Sequence, residues 1–192
     1  MLSRITWPYS RKHSKTLIMN NSVIIVNAIR FFVLVIGQVL VFKRIAFNWG
    51  EFAFIHFIIY PLFLILLPIK TPRPLVIFLG FLIGLFVDLF YDSPGIHASA
   101  GVFTGYARGI LLDFIEPYEG YNTNDSPTVE TMGISWFMTF SSILFGLHLL
   151  WYFSVEAFSF VFFFEILLNT IFSFIASFII VMLLLLIFRP KR

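Results

Sequence analysis

Residues 84–100 read GLFVDLFYDSPGIHASA: an apolar run with an aspartate, Asp88, near its end, a turn around Pro94 and Gly95, and a second run that opens on a histidine, His97. Whether such a pairing is ordinary or costly depends on the solvent around it. With 59% hydrophobic residues, 20% aromatics, 12% charged residues and a mean hydropathy of +0.94, the 192-residue chain lacks the polar surface to coat a water-soluble globule. An integral membrane protein is expected. Twenty-seven phenylalanines would burden a soluble core, but helices facing lipid carry them without a solvation penalty. The absence of cysteine excludes disulfides, thiolate metal sites and covalent haem attachment. A pI near 9.3 would admit nucleic acid, yet the bases sit at the ends of apolar runs and form no basic patch. No nucleic-acid partner is expected.

A bilayer core of ~30 Å takes about 20 apolar residues as helix, because hydrocarbon offers no partner to an open backbone. The runs 22–42, 51–69, 74–91, 96–115, 132–153 and 158–188 qualify. The expected fold class is therefore all-α, a polytopic membrane protein of about six transmembrane helices over residues 22–188. Between the runs lie KRIAFNWG, KTPR, DSPG, the polar loop EPYEGYNTNDSPTVE, and SVEA. KTPR and DSPG carry a proline where a helix has to stop. Short connections make consecutive helices antiparallel.

Orientation follows from Lys and Arg beside the spans. Arg4, Arg11, Lys12, Lys15, Lys70, Arg73, Arg189, Lys191 and Arg192 fall on one side, and Lys43 and Arg44 on the other. Both termini are thus expected in the cytoplasm, including the basic C-terminal end 189–192, and the acidic loop 116–131 falls inside with them. Residues 1–21 have no apolar core of a secretory signal. They read either as a basic cytoplasmic tail or as an over-long start, with Met19 as initiator. The last run would make ~46 Å of helix, too long to cross unbroken, so a break is expected near residues 165–170, with FSFVFFF along the outer interface.

Ionisable groups inside a membrane are costly and point to function by default. By depth, Gln38, His56, Asp88, His97, His148, Glu165 and Asn169 fall toward the outer leaflet, and Arg30, Arg108 and Asp113 toward the inner one. Each outer residue read singly, Glu51, His56 and His148 among them, is one that reaches headgroups or water. Asp88 and His97 resist that reading, because they flank one turn and Asp88 extends a stripe of Gly80 and Gly84 at helical spacing. Gly101, Gly105 and Gly109 repeat the device on the next helix, beside Ala100, Thr104 and Arg108. Small residues admit close helix approach, so helices three and four are expected to form a tight hairpin with Asp88 and His97 at its outer mouth.

Three chemistries remain open for the outer layer: a zinc site, for which HxxxH and HxH spacings are missing, a proton relay, and a hydrogen-bonded polar knot or water-filled vestibule. Arg30 and Arg108 either snorkel to headgroups or pair with Asp113 or a partner subunit. No GxSxG, P-loop or HExxH motif is present. Neither enzymatic activity nor a cofactor is expected, although membrane transferases acting on lipid-linked precursors can use scattered acids.

The stretch LLPIKTPR at 66–73, followed by GFLIGLFVDLFYDSPGIHA at 80–98 and a small-residue helix ending in Tyr106-Ala107-Arg108, resembles the rod shape-determining protein MreD family. NAIRFFVLVIGQVLVF at 27–42 is similar to the first span of its Bacteroidetes-type members. The matching motif residues are Gly80, Gly84, Asp88, Pro94, Gly95, His97 and Arg108. The resemblance implies a non-enzymatic subunit of the cell-elongation machinery in the inner membrane, bound to MreC and through it to actin-like MreB and the lateral-wall peptidoglycan synthases. It also implies a fold similar to the substrate-binding subunits of energy-coupling-factor transporters, six-helix proteins with a pocket open to the outside. That opens an alternative function, a small-molecule-binding transport subunit.

Overall fold

The computed structural model describes residues 21–46, 55–121 and 126–188. The expected basic tail up to residue 20, Met19, Glu51 and the C-terminal residues 189–192 lie outside them. The regular structure of the described residues is helical, with no strand among them. Helix α1 (Asn21–Gly37) continues through a π-helical stretch, Gln38–Phe42, into one last turn, Lys43–Ala46. A short α2 (Leu62–Leu66) precedes α3 (Arg73–Tyr91) and α4 (Ile96–Phe114). After α5 (Val129–Met132) come the long α6 (Ile134–Ala157) and α7 (Phe163–Phe188).

Four stretches are long and apolar enough to cross a membrane: Val23–Ile45, Arg73–Tyr91, Ile134–Ala157 and Phe163–Ile187. Their outer faces are apolar and open, as at Ile29, Phe32, Val33 and Leu40 on α1 and Ile175, Ile179 and Leu183 on α7. Such faces suit lipid rather than water. With 19 residues, α4 is as long as α3, about 28 Å, but Ser99, Thr104, Arg108 and its glycines make it less apolar.

The second expected span is corrected. Among its described residues, 55–59 are not helical and helix covers only Leu62–Leu66. Pro61 and Pro68 interrupt the run, and each lacks the N–H that a continuous helix needs. Residues 58–67 are nonetheless all buried. The segment lies against α1, α3, α4 and α6 and bonds to α7 through Ser173 and Ser177. What hydropathy reads as a lipid-facing helix is the centre of the core.

Two smaller corrections concern α6 and α7. SVEA, expected as a connection, is the last turn of α6, which stops at Phe158 in the left-handed region (φ 46°). The chain restarts through a 3₁₀ turn, Phe160–Phe162, and α7 then runs unbroken through 165–170. The break thus falls at Phe158 and Ser159, so α7 keeps its polar Glu165 in its first turn.

Helices α3 and α4 pack as a hairpin around interlocking glycines. A methyl group on Gly80 would lie 2.3 Å from the Gly101 carbonyl oxygen, one on Gly101 2.0 Å from that of Gly80, and one on Gly84 2.3 Å from that of His97. Gly105 meets the α3 backbone at Ile77, whereas Gly109 faces only the Arg73 side chain. The turn reverses through Asp92 (φ 54°) and Gly95 (φ 87°), both left-handed, where glycine carries no Cβ penalty. From α4 the packing continues to α6, where Phe103 stacks on Trp151 with centroids 4.2 Å apart, and from α6 to α7.

Candidate functional site

The polar residues of the interior fall into three groups, and each begins with a backbone that needs partners. Residues 56–59 are non-helical in the core, so their amides and carbonyls cannot satisfy one another. Side chains from the first and last long helices do it. Ser173 Oγ accepts the His56 N–H and Ser177 Oγ the Ile58 N–H, both at 2.9 Å, while Ser177 Oγ–H donates to the His56 carbonyl at 3.1 Å. From the other side, Gln38 Oε1 accepts the Ile59 N–H at 2.7 Å, and its Nε2 donates to the Phe57 carbonyl at 2.9 Å. Gln38 opens the π-helical stretch, and Tyr91 O–H donates to the Gln38 carbonyl at 3.1 Å while accepting from its Nε2 at 2.8 Å. A wider turn loosens the helix ladder, and π-segments are frequent where a side chain has a special task.

The second group starts from Asp88. Its Oδ1 accepts the His97 N–H at 3.0 Å and the Ser93 hydroxyl at 2.9 Å, and its Oδ2 accepts the Ala98 N–H at 2.9 Å. The carboxylate therefore caps α4 from the preceding helix, in the place where the N-terminal dipole favours an anion. Asp88 binds the backbone of His97 and not its ring. The imidazole turns to Tyr60, whose hydroxyl lies 3.2 Å from His97 Nδ1 and 2.8 Å from His148 Nε2. His148 Nδ1 lies 2.7 Å from Thr104 Oγ1, which donates to the Ala100 carbonyl at 2.7 Å.

The bond directions follow by counting protons. Thr104 uses its single hydrogen on Ala100, so it accepts from His148 Nδ1–H. With both imidazoles neutral, His148 Nε2 then accepts from Tyr60 O–H, and Tyr60 accepts from His97 Nδ1–H. The row runs one way, and it leaves His97 Nε2 as a buried lone pair without a partner among the described residues. Tyr91 and Tyr152 rings flank that imidazole, with centroids 5.0 and 4.7 Å away. The arrangement ties the core segment to α4 and α6.

The third group is at the other end of the hairpin. Arg108, 2% exposed, neither snorkels nor pairs with Asp113. Its Nη2 donates to the Leu67 carbonyl at 2.6 Å and the Pro68 carbonyl at 3.2 Å, at the end of α2. Asp113 instead pairs with Arg73. Back at the turn end of the hairpin, Lys43 donates to the Phe90 carbonyl and lies 4.0 Å from Asp92, so it closes the end of α3.

Of the other residues singled out by sequence, Arg30 is half-buried and donates to Asn27 at 3.3 Å. The His56 ring rests on Phe153, 5.4 Å between centroids, outside the His–Tyr row. Glu165 is exposed and, with Glu156 and Asn169, lines a cavity of ≈ 270 Å³ between α6 and α7. A second cavity, of ≈ 190 Å³, lies beside Arg108. Neither is lined by Asp88, His97 or Tyr60. Among the described residues no three His, Asp or Glu side chains converge as metal ligands.

Sequence reasoning passed over Tyr60, Tyr91, Ser173 and Ser177. A signal existed for the serines, since they stand four residues apart on one face of a very apolar helix. Tyr60 sits within an apolar run beside Pro61 and offered none. Comparison of the chain with family models, curated proteins and solved structures finds no match in any of the three.

Proposed function

We propose that this chain is a non-enzymatic scaffold of the inner membrane, an MreD-like subunit of the cell-elongation complex that holds an MreC-like partner and, through it, an MreB-like cytoskeleton and the lateral-wall peptidoglycan synthases. One observation carries the reading: most of the buried polar side chains hold backbone or one another, even where a single atom such as His97 Nε2 stays open. Asp88 caps α4, Gln38 and the two serines hold residues 56–59, Arg108 closes α2, and the His–Tyr row ties α4 to α6. Groups engaged in this way suit a rigid platform. The open apolar faces of α1 and α7 supply area for lipid and for partner helices, and contact there rests on close packing and a few polar bonds.

Six crossings, an energy-coupling-factor-like arrangement and cytoplasmic termini belong to the same proposal, with residues 51–69 counted as one crossing of which 55–59 are not helical. Non-helical backbone at that depth is tolerated when protein covers it, as it is here. The test is co-expression with a single-span MreC-like protein and capture on either tag. Stable co-purification from mild detergent is expected, and failure in both directions overturns the scaffold.

The alternative is a small-molecule-binding transport subunit, favoured by the cavity of ≈ 270 Å³ with Glu156 and Glu165 on its wall. A small molecule retained through purification, and lost on Glu156→Gln, would favour it over the scaffold.

A further inference from the structure

Arg108 poses an electrostatic problem that its hydrogen bonds do not solve. The guanidinium is held by two carbonyl oxygens, Nε is buried with no partner among the described residues, and the ion pair found there, Arg73–Asp113, leaves it out. A full charge taken out of water needs a counter-charge, because carbonyl dipoles return only part of the lost hydration. The cavity of ≈ 190 Å³ lies against this side chain. Its wall includes Lys70, Thr71, Arg73 and Arg108 with two carboxylates, Asp113 and Glu116. Three cations against two anions leave one positive charge.

The same wall holds the start of α3. That helix begins after Pro72, and no side chain caps its first turn, so its positive dipole end faces the cavity rim. Asp113 is taken by Arg73, and Glu116 is exposed and free to turn toward water. A compact, singly charged oxyanion fits what remains.

We propose that this cavity binds one phosphate group, with Arg108 as its buried cation and Lys70 and the uncapped start of α3 as its rim. A phosphodiester carries the single negative charge that the wall lacks. The group can arrive on a phospholipid whose headgroup sits at this end of the bundle, or as free phosphate. The inference does not depend on the scaffold reading.

The test uses the full chain, stripped of lipid in a neutral detergent, with thermal unfolding followed against inorganic phosphate, phosphatidylglycerol and a phosphate-free diacylglycerol glycolipid with the same acyl chains. Stabilisation by phosphatidylglycerol and not by the glycolipid is expected, and an accompanying response to inorganic phosphate identifies free anion as a source. Lys70→Gln weakens the response roughly threefold, an exposed charge's usual worth. Arg108→Gln weakens it about tenfold or more, as a charged hydrogen-bond donor is lost. Because Arg108→Gln also risks misfolding, the deciding pair is Lys70→Gln against Glu116→Gln, both at exposed positions. They move affinity in opposite directions, weaker and tighter. No response to either phosphate compound, a response equal to the glycolipid's, or one unchanged in both of these variants overturns the site.

Discussion

Gln38 shows how much one side chain holds. Its amide satisfies an N–H and a C=O of the non-helical segment at once. Gln38→Leu leaves both groups open, and at about 1–3 kcal/mol each the loss is roughly 2–6 kcal/mol, read as a fall in the unfolding midpoint in detergent. Ser177→Ala orphans the Ile58 N–H and the His56 carbonyl in the same way. An unchanged midpoint in both variants would mean that water or lipid replaces those bonds. Asp88 differs because its partners form a helix end. Asp88→Leu removes all three bonds and the anion, whereas Asp88→Asn keeps an acceptor, so the loss of stability is larger for leucine, and under the proposed scaffold function so is the loss of capture of an MreC-like partner.

Between α3 and α4 the glycines set the helix separation, and their neighbours grade the cost of replacing them. Gly80 and Gly101 meet backbone, which cannot yield, while Gly109 meets the movable end of Arg73. Gly80→Ala and Gly101→Ala therefore force the hairpin apart, and Gly109→Ala costs less than either. Gly84→Leu is harsher still, since its Cβ would stand 2.5 Å from the Ala98 Cα and 2.3 Å from the His97 carbonyl, pushing away the helix end that Asp88 caps. Thermal unfolding of the four variants, ranked, checks the order. Equal effects at Gly80 and Gly109 would refute it.

Across the whole molecule, the core segment touches or bonds to all five long helices, so damage there is felt everywhere. In lipid this assembly gains little from the hydrophobic effect, because lipid tails are as apolar as leucine. Side-chain hydrogen bonds and close packing thus take a larger share of the stability than in a soluble bundle. The cysteine-free chain allows a direct check of direction. Single cysteines at Lys70 and near either terminus are expected to react with an impermeant maleimide from the cytoplasmic side, and one at Asp92 from the outside. Reaction of the Lys70 and Asp92 positions from one side would overturn the orientation.

Composition and hydropathy were enough to read a helical membrane protein, and the Ser93-Pro94-Gly95 turn and the two glycine rows were enough to draw a hairpin from α3 and α4. These are local features, since a proline stops a helix and a glycine admits a neighbour whatever lies elsewhere. The place of residues 55–67 was beyond such reading. An apolar run meets lipid and packed protein with the same hydropathy, and its departure from helix became tolerable only because Gln38, Ser173 and Ser177, from the two ends of the chain, arrived to hold its amides. In the same way Asp88 and His97 stood out as neighbours, but that one binds backbone and the other reaches Tyr60 follows from how α3, α4 and the core segment meet, which no spacing in the chain encodes.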